Sequence, residues 1–250
     1  MKKIKIDIDS KSYNFEHPEN FNELSENQYL HVVKVFFTEK ENLEKRLDDK
    51  LYLLFVMLGG FDLKKKKRKE LYNIISEIVI NDSDFGSKLL ELQNFIYSDK
   101  TLNTWKLPAI TLNKEKFTGP DDRFNSMTFG IFIAADTLVS AYFSSKKPEK
   151  LLDMLIKVLY NISDIEGLDS IIKTGVLYNY LGVRNWLTEK YTQVFTSDDT
   201  SSRTNISLGK KESGWLSVRR HIAGSILNLK QTDNLNLHEV LSSLNHEILK

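Results

Sequence analysis

The sequence predicts a mainly α protein, one or two helical-bundle-like domains with a small β-hairpin at the N-terminus. Three observations carry that expectation. Apolar residues recur at three- and four-residue spacing almost everywhere after Ser25. Only four prolines and eleven glycines interrupt the 250 residues, which favours long helices. Strict alternation is confined to the opening stretch, where Ile4, Ile6 and Ile8 oppose Lys5, Asp7 and Asp9.

The elements follow in order. Tyr13 and Phe15 share a face within Ser12–Glu16, and Asp9-Ser10-Lys11 supplies the turn of the hairpin, which Pro18 ends. Ser25 and Gln28 form a capping-box pair ahead of Tyr29, Val32, Val33, Phe36 and Phe37. A second helix runs from about Leu43 to Leu58 and stops at Gly59-Gly60. A third covers Lys65 to Ile80 with Leu71, Ile74, Ile75 and Ile78 on one stripe, and a fourth covers Phe85 to Tyr97. Trp105 to Leu112 contains Pro108 and reads as an edge strand or an extended linker. Gly119-Pro120-Asp121-Asp122 is a break, placed here as a boundary between subdomains 1–118 and 119–250. Helices then span Thr128 to Phe143, Pro148 to Tyr160 and Leu168 to Phe195. Thr196 to Glu212, almost without apolar residues, predicts an exposed loop. Two last helices cover Gly214 to Leu229 and Leu237 to Leu249, the second capped by Asn236 with Glu239.

Composition limits the chemistry. Hydrophobic residues make up 41% and charged residues 28%, a globular mix, and the net charge of +1 gives no global attraction to nucleic acid or anionic lipid. With no cysteine, disulfides, thiolate metal sites and a cysteine nucleophile are excluded, which fits a reducing compartment. The N-terminus lacks a signal-peptide apolar stretch. The longest apolar run, Leu51–Leu58, is far shorter than the ~20 residues that span a bilayer.

Catalytic motifs are missing from the sequence. No nucleophile elbow, phosphate loop or dinucleotide fingerprint occurs, and Gly209-Lys210-Lys211 is only a fragment of a phosphate loop. His238 and His246 are eight residues apart on one predicted helix, about 12 Å along its axis, too far to share an ion. They read as surface histidines, and His17, His31 and His221 stand alone. No enzyme activity, cofactor or metal is therefore expected. Asp121 and Asp122 are either turn residues or a carboxylate pair awaiting a cation or a basic residue of another subunit. Lys64-Lys65-Lys66-Lys67-Arg68-Lys69 is either a solvated helix start or an electrostatic docking patch for an acidic protein or nucleic acid. Trp105 and Trp215 flank predicted breaks and are candidate interface anchors. Trp215, Leu216, Ile222 and Ile226 recur at helical spacing, as do Leu237, Val240, Leu241, Leu244 and Ile248, so each stripe is expected to be buried against the other helix, the rest of the domain or a partner.

The order of several segments resembles a known family. Gly119-Pro120-Asp121-Asp122, then Thr128-Phe129-Gly130-Ile131-Phe132 and Ala134-Ala135-Asp136, is similar to a G-P-x-D … T-F-x-x-F-x-x-A-D pattern of tail-module proteins of tailed bacteriophages and prophages. The likeness continues through Leu159-Tyr160, Trp186-Leu187-Thr188-Glu189-Lys190-Tyr191, Gly214-Trp215-Leu216 and Leu235-Asn236-Leu237-His238-Glu239. The hairpin and Leu24–Tyr29 resemble the family's opening, whereas Lys40 to Leu112 has no part in the match. The resemblance implies a non-enzymatic morphogenesis protein, similar to tail-assembly chaperones, that binds other phage tail proteins in the host cytoplasm. It transfers no catalytic residue. An ordered virion subunit such as a ring or head–tail adaptor, and an unrelated helical enzyme or nucleic-acid binder, remain as alternatives, with a homo-oligomer as the other candidate partner.

Overall fold

The alternating N-terminus pairs with itself. The computed structural model describes residues 1–8, 11–38, 46–60, 63–81, 83–98, 102–195 and 214–248. Strands β1 (Lys2–Ile8) and β2 (Lys11–His17) run antiparallel, with Ile4 opposite Phe15 and Ile6 opposite Tyr13. Most of the predicted Asp9-Ser10-Lys11 turn, the start of the second helix and the loop Thr196–Glu212 lie outside the described residues.

Contacts divide the chain into two compact units, Met1–Leu102 and Asn103–Lys250. In the first, α1 (Glu26–Val33) begins at the predicted capping box. Ser25 Oγ accepts from the Gln28 N–H at 3.2 Å, and Gln28 Oε1 accepts from the Ser25 N–H at 2.9 Å. Gln28 Nε2 then donates to the Met57 carbonyl at 3.1 Å, satisfying a group that the end of α2 (Arg46–Met57) leaves without a helical partner. The Leu51–Leu58 run is buried throughout except at half-buried Tyr52, so this apolar stretch is the core helix of the unit. Gly59, at φ 74°, ends it. Helix α3 (Lys65–Asn81) contributes Leu71 and Ile75, and α4 (Ser83–Glu91) contributes Leu89, to a core shared with Ile6, Leu54 and Phe55. The single predicted helix over Phe85–Tyr97 is instead α4 followed by α5 (Asn94–Ser98). Between them lies the buried Gln93, whose Nε2 donates to the Lys50 carbonyl at 2.8 Å.

The second unit opens with a hairpin that the sequence reading did not predict, β3 (Ala109–Leu112) against β4 (Glu115–Thr118). Its two-residue loop places Asn113 at φ 50° and Lys114 at φ 71°, the left-handed pair of a type I′ turn. The Gly119-Pro120 break falls inside this unit and not at its edge. Gly119 N–H donates to the Pro108 carbonyl at 2.8 Å, and a Cβ on Gly119 would lie 2.3 Å from the ring of buried Tyr160. Tyr160 Oη in turn donates to the Leu107 carbonyl at 2.6 Å. The break is thus where the hairpin crosses a helix at a distance only glycine allows.

Helix α6 (Phe129–Ser144) begins where predicted, with Thr128 as its cap, and α7 (Pro148–Tyr160) carries Pro148 in its first turn as predicted. The predicted helix Leu168–Phe195 is split at Tyr191 into α8 (Ser170–Lys190) and α9 (Thr192–Phe195). A larger correction falls on Gly214–Leu229. Helix α10 (Trp215–Ala223) stops at Gly224, φ 61°, and Ser225 Oγ caps a 3-10 turn, Ile226–Asn228, ahead of α11 (Leu229–Asp233). Helix α12 (Leu237–Ile248) closes the described chain. No described helix is long and apolar enough to cross a membrane.

Candidate functional site

The second unit is organised around one buried carboxylate. Asp136 is only 3% exposed, on the inward face of α6. It accepts a hydrogen bond from Arg184 Nε, a second from Arg184 Nη2 at 3.3 Å, one from Tyr180 Oη at 3.4 Å and one from Trp215 Nε1 at 2.7 Å. Tyr180 and Arg184 are four residues apart, so α8 presents both on one face. Burial, followed by the Asp136 charge, pushes the Tyr180 hydroxyl well above its ordinary pKa. Burial works against the Arg184 charge, but the Asp136 carboxylate more than offsets it and raises the pKa. The Trp215 indole is edge-on to Phe132 at 5.1 Å, to Phe195 at 5.6 Å and to Phe129 at 6.0 Å. Of the proposed interface anchors, Trp215 is therefore half-buried and turned inward, binding α10 to α6.

Trp105 is corrected outright as an interface residue. It is 5% exposed, packs on Phe124 at 5.4 Å, and its Nε1 donates to the Leu107 carbonyl at 2.7 Å, leaving no surface for a partner. Asp121 serves as a turn residue, whereas Asp122 holds a distant segment. Asp122 Oδ1 accepts from the Trp105 N–H at 2.8 Å, and both Asp121 oxygens accept from the Ser126 N–H at 3.0 Å. Among the described residues no group of three His, Asp or Glu side chains is arranged to hold a metal ion.

His238 is more constrained than a surface histidine. Its Nε2 lies 2.9 Å from the Arg123 carbonyl, which can only accept, so Nε2 carries the proton. Nδ1 then accepts from Tyr191 Oη at 2.8 Å. Burial and the nearby Lys190 lower the His238 pKa, against the bond to Arg123, which raises it. Beside it, Lys190 Nζ and the Arg123 guanidinium sit 4.8 Å and 5.2 Å from the Trp186 ring centre. His17 and His31 are likewise engaged by the fold, the first buried and the second bonded to Tyr52 Oη.

The basic run lies at the start of α3 in the first unit. Lys64, Lys65, Lys66, Lys67 and Lys69 are exposed, while Arg68 is half-buried and donates to the Leu63 carbonyl at 3.3 Å. Consecutive helical residues turn by about 100°, so the lysines form a collar around the helix end and not a stripe along it.

Within the chain the α10 stripe is not buried as a unit. Ile226 lies beyond Gly224 and is 81% exposed, its neighbour Leu227 is 85% exposed, and Leu216 is exposed as well. On α12, by contrast, Leu237, Val240, Leu241 and Leu244 are buried. Helix α10 rests on α6 and α11, and α12 rests on α6 and α9. Between α10 and α12 opens a groove of about 400 Å³, lined by Ile222, Leu235, Val240 and Leu244 and edged by exposed Glu239 and Glu247. The sequence carried one signal for this surface, the Gly224-Ser225 pair, a helix stop followed by a cap that takes Ile226 and Leu227 off the helix. No family model, no curated protein and no solved structure matches the chain.

Proposed function

We propose that this protein works by binding other proteins during bacteriophage tail assembly, in the manner of a tail-assembly chaperone. The observation that carries the binding part is the apolar surface at the C-terminal end of the second unit. Ile226 and Leu227 stand almost fully exposed on a capped turn that follows the groove-lining helix α10 in the chain. Such grouped exposure disfavours a chain that works alone. The phage assignment is supported by the resemblance alone, in the order of its segments. The described parts that carry it have architectural roles here: Gly119 at the Tyr160 crossing, Thr128 as a cap, and Asp136 with Trp215 as the joint between helices. These are roles a binding scaffold needs, with no chemistry attached.

The test is stoichiometric. An affinity-tagged copy, expressed in cells producing the phage, should co-purify with tail proteins, while mass spectrometry of purified virions should not find it. Multiple copies in the virion would replace the chaperone reading with a ring or adaptor subunit. Absence of both co-purification and incorporation would end the phage reading.

A further inference from the structure

We propose that the groove between α10 and α12 docks a basic amphipathic helix of a partner protein. The inference deepens the protein-binding reading and rests on it. Two features of the groove define the occupant. Apart from His221, its wall is apolar, formed by Ile222, Leu235, Val240 and Leu244, so the partner must present an apolar stripe. Its edge is acidic. Glu239, Ser243 and Glu247 follow one another at four-residue spacing, so they share one exposed edge of α12.

Neither glutamate forms an ion pair among the described residues. Their backbones are separated by two helical turns, about 12 Å along the axis at 1.5 Å per residue. A helix lying alongside α12 matches both carboxylates when it carries Lys or Arg seven or eight residues apart on one flank of its apolar stripe. An acidic helix would set like charges along the whole contact and is disfavoured. The framework beneath the groove is firm. Asp136 ties α6 to α8 and to Trp215 of α10, and Asn236 Oδ1 caps α12 by accepting from the His238 N–H at 2.8 Å. A groove whose walls are held in this way loses little freedom when it is filled.

The probe is a fluorescein-labelled peptide of about 15 residues, long enough to form a helix on contact. It is built from Leu, Ala and Lys with the lysines eight apart along one flank. Controls are a scrambled peptide of the same composition and a version with Glu in place of Lys. Anisotropy with the full-length protein should show the patterned peptide binding more tightly than both controls. Glu239→Lys combined with Glu247→Lys, both at exposed positions, should weaken binding about tenfold, as two rim ion pairs imply. Leu235→Asp should weaken it independently, and circular dichroism would verify that each variant is folded. Equal binding of patterned and scrambled peptides, or binding indifferent to all three substitutions, overturns the proposal. So does a dimer of the unmodified protein that Leu235→Asp dissociates, because a second copy would then be the occupant. If the peptide fails while co-purification with cellular partners persists in the double glutamate variant, the groove is wrong and the protein-binding reading stands.

Discussion

A carboxylate on the inward face of an otherwise apolar helix has to be neutralised from elsewhere in the chain, and at Asp136 the neutralising groups come from α8 and α10. The sequence shows half of this arrangement. An aspartate amid Phe129, Phe132, Ile133, Ala135 and Val139, all buried, signals that a cationic or donor partner exists. It does not say that the partner is Arg184, because only the packing of α8 against α6 brings them together. Asp136→Ala should therefore cost roughly 3 kcal/mol, the low end for breaking a buried pair, since Arg184 keeps some access to water. Adding Arg184→Met to that background should restore a substantial part of the loss by removing the stranded charge. Urea unfolding followed by circular dichroism measures both. Equal stability of Asp136→Ala and the unmodified protein would deny the joint its structural role. Trp105 and Trp215 were legible only as residues at breaks, because a tryptophan that packs beneath a turn and one that anchors a partner look the same in sequence.

Helices were legible where periodicity and caps agreed, as at Ser25–Gln28, Thr128 and Pro148. They were misread where an apolar period ran on through a stop, as at Gly224-Ser225, and where a buried polar side chain turned the chain, as at Gln93. The second hairpin was missed for a different reason. Type I′ turns are usually written Asn-Gly, and here Lys114 takes the position where glycine is expected. A side chain there, at φ 71°, carries a conformational cost that glycine does not. Lys114→Gly is thus expected to stabilise the second unit by roughly 1 kcal/mol, visible as a rise in its thermal midpoint. Exposed Lys114 makes no hydrogen bond or ion pair among the described residues, so little is lost in the exchange. A fall in midpoint would show that Lys114 contributes something other than the turn. The acidic edge of α12 was equally present in the sequence, as Glu239 and Glu247, but without the break at Gly224 nothing marked it as the rim of a groove.

At the scale of the molecule, the two units carry different reporters and different sensitivities to acid. All three tryptophans, Trp105, Trp186 and Trp215, belong to the second unit, so tryptophan emission follows that unit alone. The first unit contains His17, 1% exposed, with a buried Nε2 that has no hydrogen-bond partner among the described residues and an edge-on contact to Phe95 at 6.2 Å. Burial lowers its pKa from 6.5 to about 4, assisted by Lys2 and the terminal amine and opposed by the bond to Pro18 and by Glu23. Between those two values the unfolded chain binds the proton and the folded unit does not. Stability is therefore complete above pH 6.5 and falls as the pH drops towards 4, by roughly 3 kcal/mol in all. His31, also lowered by burial, adds a slope of the same sign in the same unit, and His238 gives one to the second unit. In urea titrations of the whole chain, the transition seen by circular dichroism should separate from that seen by tryptophan emission as the pH is lowered from 7 to 4.5. His17→Phe removes one titrating group while keeping an apolar ring, and should reduce the pH dependence of the first unit, leaving the slope from His31, without moving the tryptophan transition. Coincident transitions at every pH would mean that the two units unfold as one. An unchanged slope in His17→Phe would place the acid sensitivity on another group, because no other consequence of that substitution depends on protons.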